Sequence, residues 1–152
     1  MLYKYKNEFN IIALSRNKLR YPEKSNIHWK QVDLYSISST TKALENVDIG
    51  IYLVHSMQPS TRMNQGSFED TDILLADNFS RAAQDCNLKQ IIYVGGILPK
   101  DDHTISKHLK SRYEVEKTLG SRNTPLTSIR AGIIIGPNAV SYTHLTLPTT
   151  PY

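Results

Sequence analysis

The sequence is short of cysteine, of long apolar runs and of a glycine-rich opening. Each shortage excludes a class of protein. The single cysteine, Cys86, rules out an internal disulfide framework and a cysteine-rich zinc site. No apolar run reaches the roughly 18 residues that a membrane span needs, so no membrane partner is expected. The start, Met1-Leu2-Tyr3-Lys4-Tyr5-Lys6, has no apolar stretch like that of a secretory signal. The expected location is the cytoplasm. Runs of Lys and Arg with interleaved aromatics are also missing, so nucleic acid is not an expected partner.

What is present fits a folded domain. Of 152 residues, 39% are hydrophobic and 21% charged, a balance that supports a packed core. The net charge of +4 is unevenly spread. Residues 1–30 hold seven basic and two acidic side chains, residues 31–97 four and eight, and residues 98–152 seven and four. The basic opening suits a polyanion or a single phosphorylated cofactor.

Strand-like and helix-like segments alternate along the chain. Asn10–Leu14 is a short apolar run, followed by the polar Ser15-Arg16-Asn17. Ile27–Val32 is a second strand candidate and Asp48–Val54 a third. Between them Thr40–Val47 reads as a short helix. Ser67–Asn87 carries apolar residues at helical spacing, from Phe68 to Cys86. Gln90–Val94 predicts a fourth strand that stops at Gly95-Gly96. Ser106–Leu119 predicts a helix with Gly120 as its stop, and Leu126–Ile135 a fifth strand ended by Gly136-Pro137. Short, nearly all-apolar strands predict burial on both faces. Alternation with helices predicts a parallel sheet with right-handed crossovers. The expected class is α/β, a doubly wound parallel sheet.

The ordered set resembles the atypical short-chain dehydrogenase/reductases, NAD(P)-binding Rossmann proteins that include nitrogen-metabolite-repressor-like and sugar-epimerase-like members. The residues that carry the resemblance are Ala13-Leu14-Ser15-Arg16-Asn17, Val32-Asp33-Leu34 and Tyr52-Leu53-Val54-His55-Ser56-Met57. Ile91–Gly96 and Ser128–Pro137 complete the set, which covers about residues 1–138.

The chain departs from that family at both ends. No GxxGxxG turn occurs before Ile11, although such glycines let the backbone approach a dinucleotide pyrophosphate. Leu2–Phe9 reads instead as the tail of the family's first helix. The expectation is a partial Rossmann domain, begun at an internal methionine and lacking the central first strand. At the other end, Val140–Tyr152 carries no Lys, Arg, Asp or Glu. It resembles the translation of a transposon-based sequencing adapter, so residues 139–152 are expected to be a non-native tail.

The resemblance implies roles for particular residues. Ser15, Arg16 and Asn17 follow the strand end that meets the adenosine ribose in this family. An acid there suits a free 2′-OH and an arginine a 2′-phosphate, so NADP is expected over NAD. Asp33 and Leu34 would lie near the adenine, with a turn-capping Asp33 as the alternative. Leu53, Val54 and His55 would pass beside the cofactor's ribose and phosphates, and Gly95 takes the family's usual serine position. Asn78 would brace the neighbouring strand turns, and Cys86 reads as a small core residue.

Tyr113 and Lys117 satisfy the family's Tyr-x-x-x-Lys pattern literally. In the family a hydrophobic residue and a glutamate follow the catalytic lysine at +3 and +4. Here Val115-Glu116 sets that register and puts Arg112 at the lysine position and His108 at the tyrosine position. His108, as a proton donor, and Arg112 are therefore the expected catalytic pair. The function implied is an NADP-dependent oxidoreductase or epimerase-like enzyme acting on an unidentified small molecule. The alternative is a non-catalytic nucleotide-sensing or scaffold protein.

Overall fold

The computed structural model describes residues 9–17, 26–55, 68–98 and 106–132. Five strands and three helices alternate: β1 (Ile11–Ser15), β2 (Ile27–Gln31), α1 (Ile37–Leu44), β3 (Ile49–Tyr52), α2 (Phe68–Asp85), β4 (Gln90–Gly96), α3 (Lys107–Leu119) and β5 (Leu126–Ala131). The expected adapter-like tail and the expected first-helix segment, but for Phe9, lie outside the described residues.

All strand pairing is parallel, but it falls into two sheets. One has the order β1-β2, the other β3-β4-β5. β1 and β3 each keep one edge without a strand partner among the described residues. In β4, Gly95 and Gly96 do not stop the strand. They pair with Arg130 and Ala131 of β5, so the ladder runs two residues further than expected.

The three helices lie side by side, α1 on α2 and α2 on α3. Their inward faces meet one face of the sheet in a core of Leu44, Tyr52, Ala76, Phe79, Ala82, Ala83, Leu88, Ile91, Tyr93, Val115 and Leu119. Tyr52 and Phe79 meet edge to face with centroids 5.1 Å apart. No described helix covers the opposite face. Ile49, Ile51, Leu53 and Ile129 are exposed, which corrects the expectation of strands buried on both sides. The cause is that every described helix packs on the same face.

Local chemistry sets the helix ends. α1 begins three residues before its expected start because Ser36 caps it, its hydroxyl accepting from the Ser39 amide at 3.2 Å. Ser106 caps α3 in the same way, accepting from the Leu109 amide at 3.3 Å. Asn46 and Asn87 follow α1 and α2 with φ of 61° and 55°, a left-handed exit that asparagine tolerates. Asn78 on α2 ties the two sheets together. Its amide donates to the carbonyls of Leu34 at 2.9 Å and Tyr35 at 3.2 Å, in the turn after β2. That is the bracing role expected of it. Cys86 is half-buried against the core and donates to the Thr41 carbonyl at 3.4 Å.

Candidate functional site

Titratable and polar side chains gather at the C-terminal ends of the strands. Beyond β3, His55 is half-buried and turns its Nδ1 toward Asp72 of α2, 3.7 Å from Oδ2. The His55 ring meets the His108 ring edge to face at 4.7 Å between centroids. His108 lies one turn before Arg112 on α3, and the Arg112 Nε donates to His108 Nε2 at 3.3 Å. Arg112 is anchored to the end of β4. Its Nη1 donates to the Val94 carbonyl at 3.4 Å, and its own carbonyl accepts from the Tyr93 hydroxyl at 3.1 Å.

Four side chains from two helices and one strand end thus converge: Asp72, His55, His108 and Arg112. The sequence singled out three of them, His108 and Arg112 as a catalytic pair and His55 as a neighbour of the cofactor. It missed Asp72, whose only signal is an acid near the start of the helix that follows the His55 segment. A cleft of about 370 Å³ opens beside Arg112. It is lined by Val94, Gly95, Gly96, Ile97, Leu109, Ala131 and Gly132 and lies at the small end of ligand pockets. Among the described residues no group of three His, Cys, Asp or Glu side chains is placed to hold a metal ion.

Electrostatics distinguish His55. Burial first, then the neighbouring Arg112 and His108, pull its pKa below the usual histidine value, and Asp72 opposes them. The imidazole therefore favours its neutral form near neutral pH. Tyr52, beneath the cluster, is pushed upward by burial, then by Asp72 and Tyr93, and remains a neutral phenol.

In the window between the lowered folded value and about 6.5, the unfolded chain binds more protons than the folded one. Stability should rise with pH through that window and level off above it. Melting curves from pH 7 to 5 should show the wild type losing Tm more steeply than His55→Gln. Parallel curves for the two would contradict this assignment.

The literal Tyr113/Lys117 pattern is otherwise engaged. Lys117 is exposed and its ammonium sits 4.4 Å from the Tyr113 ring centroid, so the two meet each other. Glu116 pairs with Arg130 of β5 at 2.8 Å.

At the other sheet, Arg16 and Asn17 are exposed just beyond β1. The Arg16 carbonyl accepts from the Gln31 amide at 3.2 Å, and the Ser15 hydroxyl accepts from the Asn17 amide at 3.3 Å. Asp33 caps its own turn, accepting from the Tyr35 amide at 3.2 Å. Leu34 packs against the core, whereas Leu53 and Val54 are exposed. Gly95 is buried beside the Tyr93 ring.

No family model matches the chain. Over 127 residues it is 27% identical to the auxiliary protein GraX of Staphylococcus aureus, a stretch covering 79% of this chain and 36% of GraX. In three dimensions it matches the Bordetella bronchiseptica enzyme WbmH, solved in complex with NAD+. The TM-score is 0.70 at 14% identity, across 91% of this chain and 52% of WbmH. It also matches the triphenylmethane reductase of Citrobacter sp., solved with NADP(H), with a TM-score of 0.57 at 23% identity, across 79% of this chain and 39% of the reductase.

The fold is Rossmann-like. The chain spans roughly a third to a half of the length of these relatives. In a Rossmann fold of order 3-2-1-4-5-6 the first strand lies between the second and the fourth. Among the described residues β1 and β3 each have a free edge, and no strand joins the two sheets. Ligands of such folds gather outside the carboxyl ends of the strands. Arg16, Asp33, His55 and Gly95 each stand at or beyond such an end, and the Asp72–Arg112 cluster stands with them.

Proposed function

We propose that the chain is part of an NADP-binding protein of the atypical short-chain dehydrogenase/reductase class, an oxidoreductase or epimerase-like enzyme when full length. The cluster of His55, Asp72, His108 and Arg112 at the strand ends carries this reading. Asp72 stands beside His55, His55 against His108, and His108 against Arg112, a chain of groups suited to moving a proton. Bound there, a nicotinamide would supply or accept hydride. The residues fit such a group at two places. Arg16 offers an exposed guanidinium for a 2′-phosphate, and Gly95 and Gly96 add no side chain of their own to the cleft wall.

The split between β1 and β3 supports a further strand between them, with a pyrophosphate-binding turn after it. Under this reading the 152 residues alone bind NADPH weakly. Tight NADPH binding by them would overturn it. In the full-length protein, fluorescence titration should show NADPH binding more tightly than NADH. Replacing Arg16 with alanine removes one or two charge-assisted hydrogen bonds. It should weaken NADPH roughly 10- to 100-fold and leave NADH unchanged. Equal losses for both nucleotides would refute the 2′-phosphate assignment.

A second reading is a nucleotide-binding regulatory or scaffold protein without turnover. It is supported by the likeness to GraX, named an auxiliary protein, and by the misplaced Tyr113/Lys117 pair. Substrate-dependent oxidation of NADPH separates the two. A cytoplasmic location accords with both, and no helix among the described residues is long and apolar enough to cross a membrane.

A further inference from the structure

We infer that His55, oriented by Asp72, is the proton-accepting group of the site, and that His108, backed by Arg112, is a hydrogen-bond donor and not a proton donor in it. The inference rests on the reading of these strand ends as a site. It reassigns the roles within that site.

Hydrogen-bond direction fixes the tautomer of His108. A guanidinium only donates, so His108 Nε2, 3.3 Å from Arg112 Nε, carries no proton. His108 then keeps its one proton on Nδ1. Surrendering it would leave an imidazolate, so in this geometry His108 donates a hydrogen bond and not a proton. The expected proton donor is thereby recast as an electrophile.

His55 has the complementary arrangement. Its Nδ1 faces the Asp72 carboxylate at 3.7 Å, which favours the Nδ1–H tautomer and leaves the Nε2 lone pair as acceptor. That distance is longer than a hydrogen bond, as is common before a substrate draws such a pair together. The Asp72 side chain is only 5% exposed. A carboxylate that dry, beside an imidazole, stabilises the imidazolium that forms when Nε2 takes a proton. The charged and titratable groups around His55 are Asp72 from α2, and His108 and Arg112 from α3. Tyr52 lies on β3 and Tyr93 on β4, both near Asp72.

The step balances without a further reactant. The substrate O–H bond breaks, the proton forms a bond to His55 Nε2, and the electron pair stays on oxygen. His108 Nδ1–H, with Arg112 on its other ring nitrogen, is the hydrogen-bond donor the site offers to the resulting alkoxide. The same groups run the reverse direction, His55 as imidazolium returning the proton to the alkoxide oxygen. Asp72 is a positioning residue and touches no substrate.

The test reads tautomers directly and needs neither substrate nor nucleotide. Long-range proton–nitrogen NMR of the full chain, labelled at histidine, reports which ring nitrogen of each imidazole is protonated. Signals of the five histidines are assigned with His55→Asn and His108→Asn. At pH 7.5 both His55 and His108 should be Nδ1–H tautomers, the minority form of free histidine. His55 should titrate below 6.5. In Asp72→Asn the His55 midpoint should fall further and the tautomer preference should be lost, while Asp72→Glu should retain both. Replacing Arg112 with methionine should return His108 to Nε2–H. A wild-type spectrum with His55 as Nε2–H overturns the proposal by itself, so the result does not depend on the variants folding. A chain with these tautomers that binds no dinucleotide would refute the nucleotide reading and leave this one standing.

Discussion

Phe79→Ala should lower the unfolding free energy by about 3–5 kcal/mol, the largest loss expected from one truncation in this core. Phe79 is 4% exposed on α2 and its ring stands edge to face with Tyr52 on β3. Two terms add. Burial of the ring is lost, and the cavity left behind cannot close, because the neighbours that would fill it are already committed. Ala76, Ala82 and Ala83 are too small to reach across, and Tyr52 is held between Phe79 and Tyr93. The edge-to-face contact adds about 0.5–1.5 kcal/mol beyond burial. For a chain of this length each kcal/mol moves Tm by roughly 2–4 °C, so a drop of about 6–20 °C is the measurable result. Phe79→Leu should cost much less, since it keeps most of the volume. If the alanine variant melted within about 2 °C of wild type, the α2–β3 contact would not be the centre of the core.

The element types were legible because burial leaves a simple trace. β3, β4 and β5 read as short apolar runs, and α2 as an apolar stripe at helical spacing. What failed were the places where a local cue competes with a distant one. Gly95-Gly96 looks like a stop from within the segment. Across the sheet, Arg130 and Ala131 present backbone partners, and the ladder continues. Ile37-Ser38-Ser39-Thr40 is a poor helix sequence by propensity, yet the Ser36 cap and the burial of Thr40, Ala43 and Leu44 carry it. The bare sheet face was legible in principle. Ile49-Gly50-Ile51-Tyr52 places its two isoleucines on one side and Gly50 and Tyr52 on the other. Counting apolar residues hides this, because both sides are apolar.

The site shows the same division. The spacing of four between His108 and Arg112 is a one-helix fact, and the sequence reveals it. The meeting of His55 with Asp72 and His108 is a fact of topology. It requires β3 to deliver its end beside the start of α2 and the face of α3, and no spacing along the chain encodes that. Direction of hydrogen bonding is one step further removed. Only with the Arg112 Nε fixed against His108 Nε2 does the difference between a proton donor and a hydrogen-bond donor become readable.

Gly50→Val should cost about 1–3 kcal/mol, and its cost should depend on what stands at position 79. Gly50 faces the helices from the middle of β3. A Cβ built there would lie 2.9 Å from Phe79 Cζ, 3.3 Å from Phe79 Cε1 and 3.1 Å from Leu88 Cδ2. The first of these distances is closer than carbon atoms approach. Valine suits a strand by propensity, so the expected loss comes entirely from crowding. The ring cannot retreat without abandoning Tyr52, and Leu88 is itself only 4% exposed. The strain should therefore pass along β3 toward His55, and the His55 NMR signals should shift in this variant. The companion expectation concerns coupling. Phe79→Ala opens space where the Gly50→Val methyls need it, so the double variant should be more stable than the sum of the single losses predicts, by about 1 kcal/mol or more. Strict additivity in denaturant titrations would mean that residues 50 and 79 do not share a packing site. Gly132→Ala serves as the control. Its Cβ would meet Ile97 Cδ1 at 3.6 Å, an ordinary contact, and its stability should lie within about 0.5 kcal/mol of wild type.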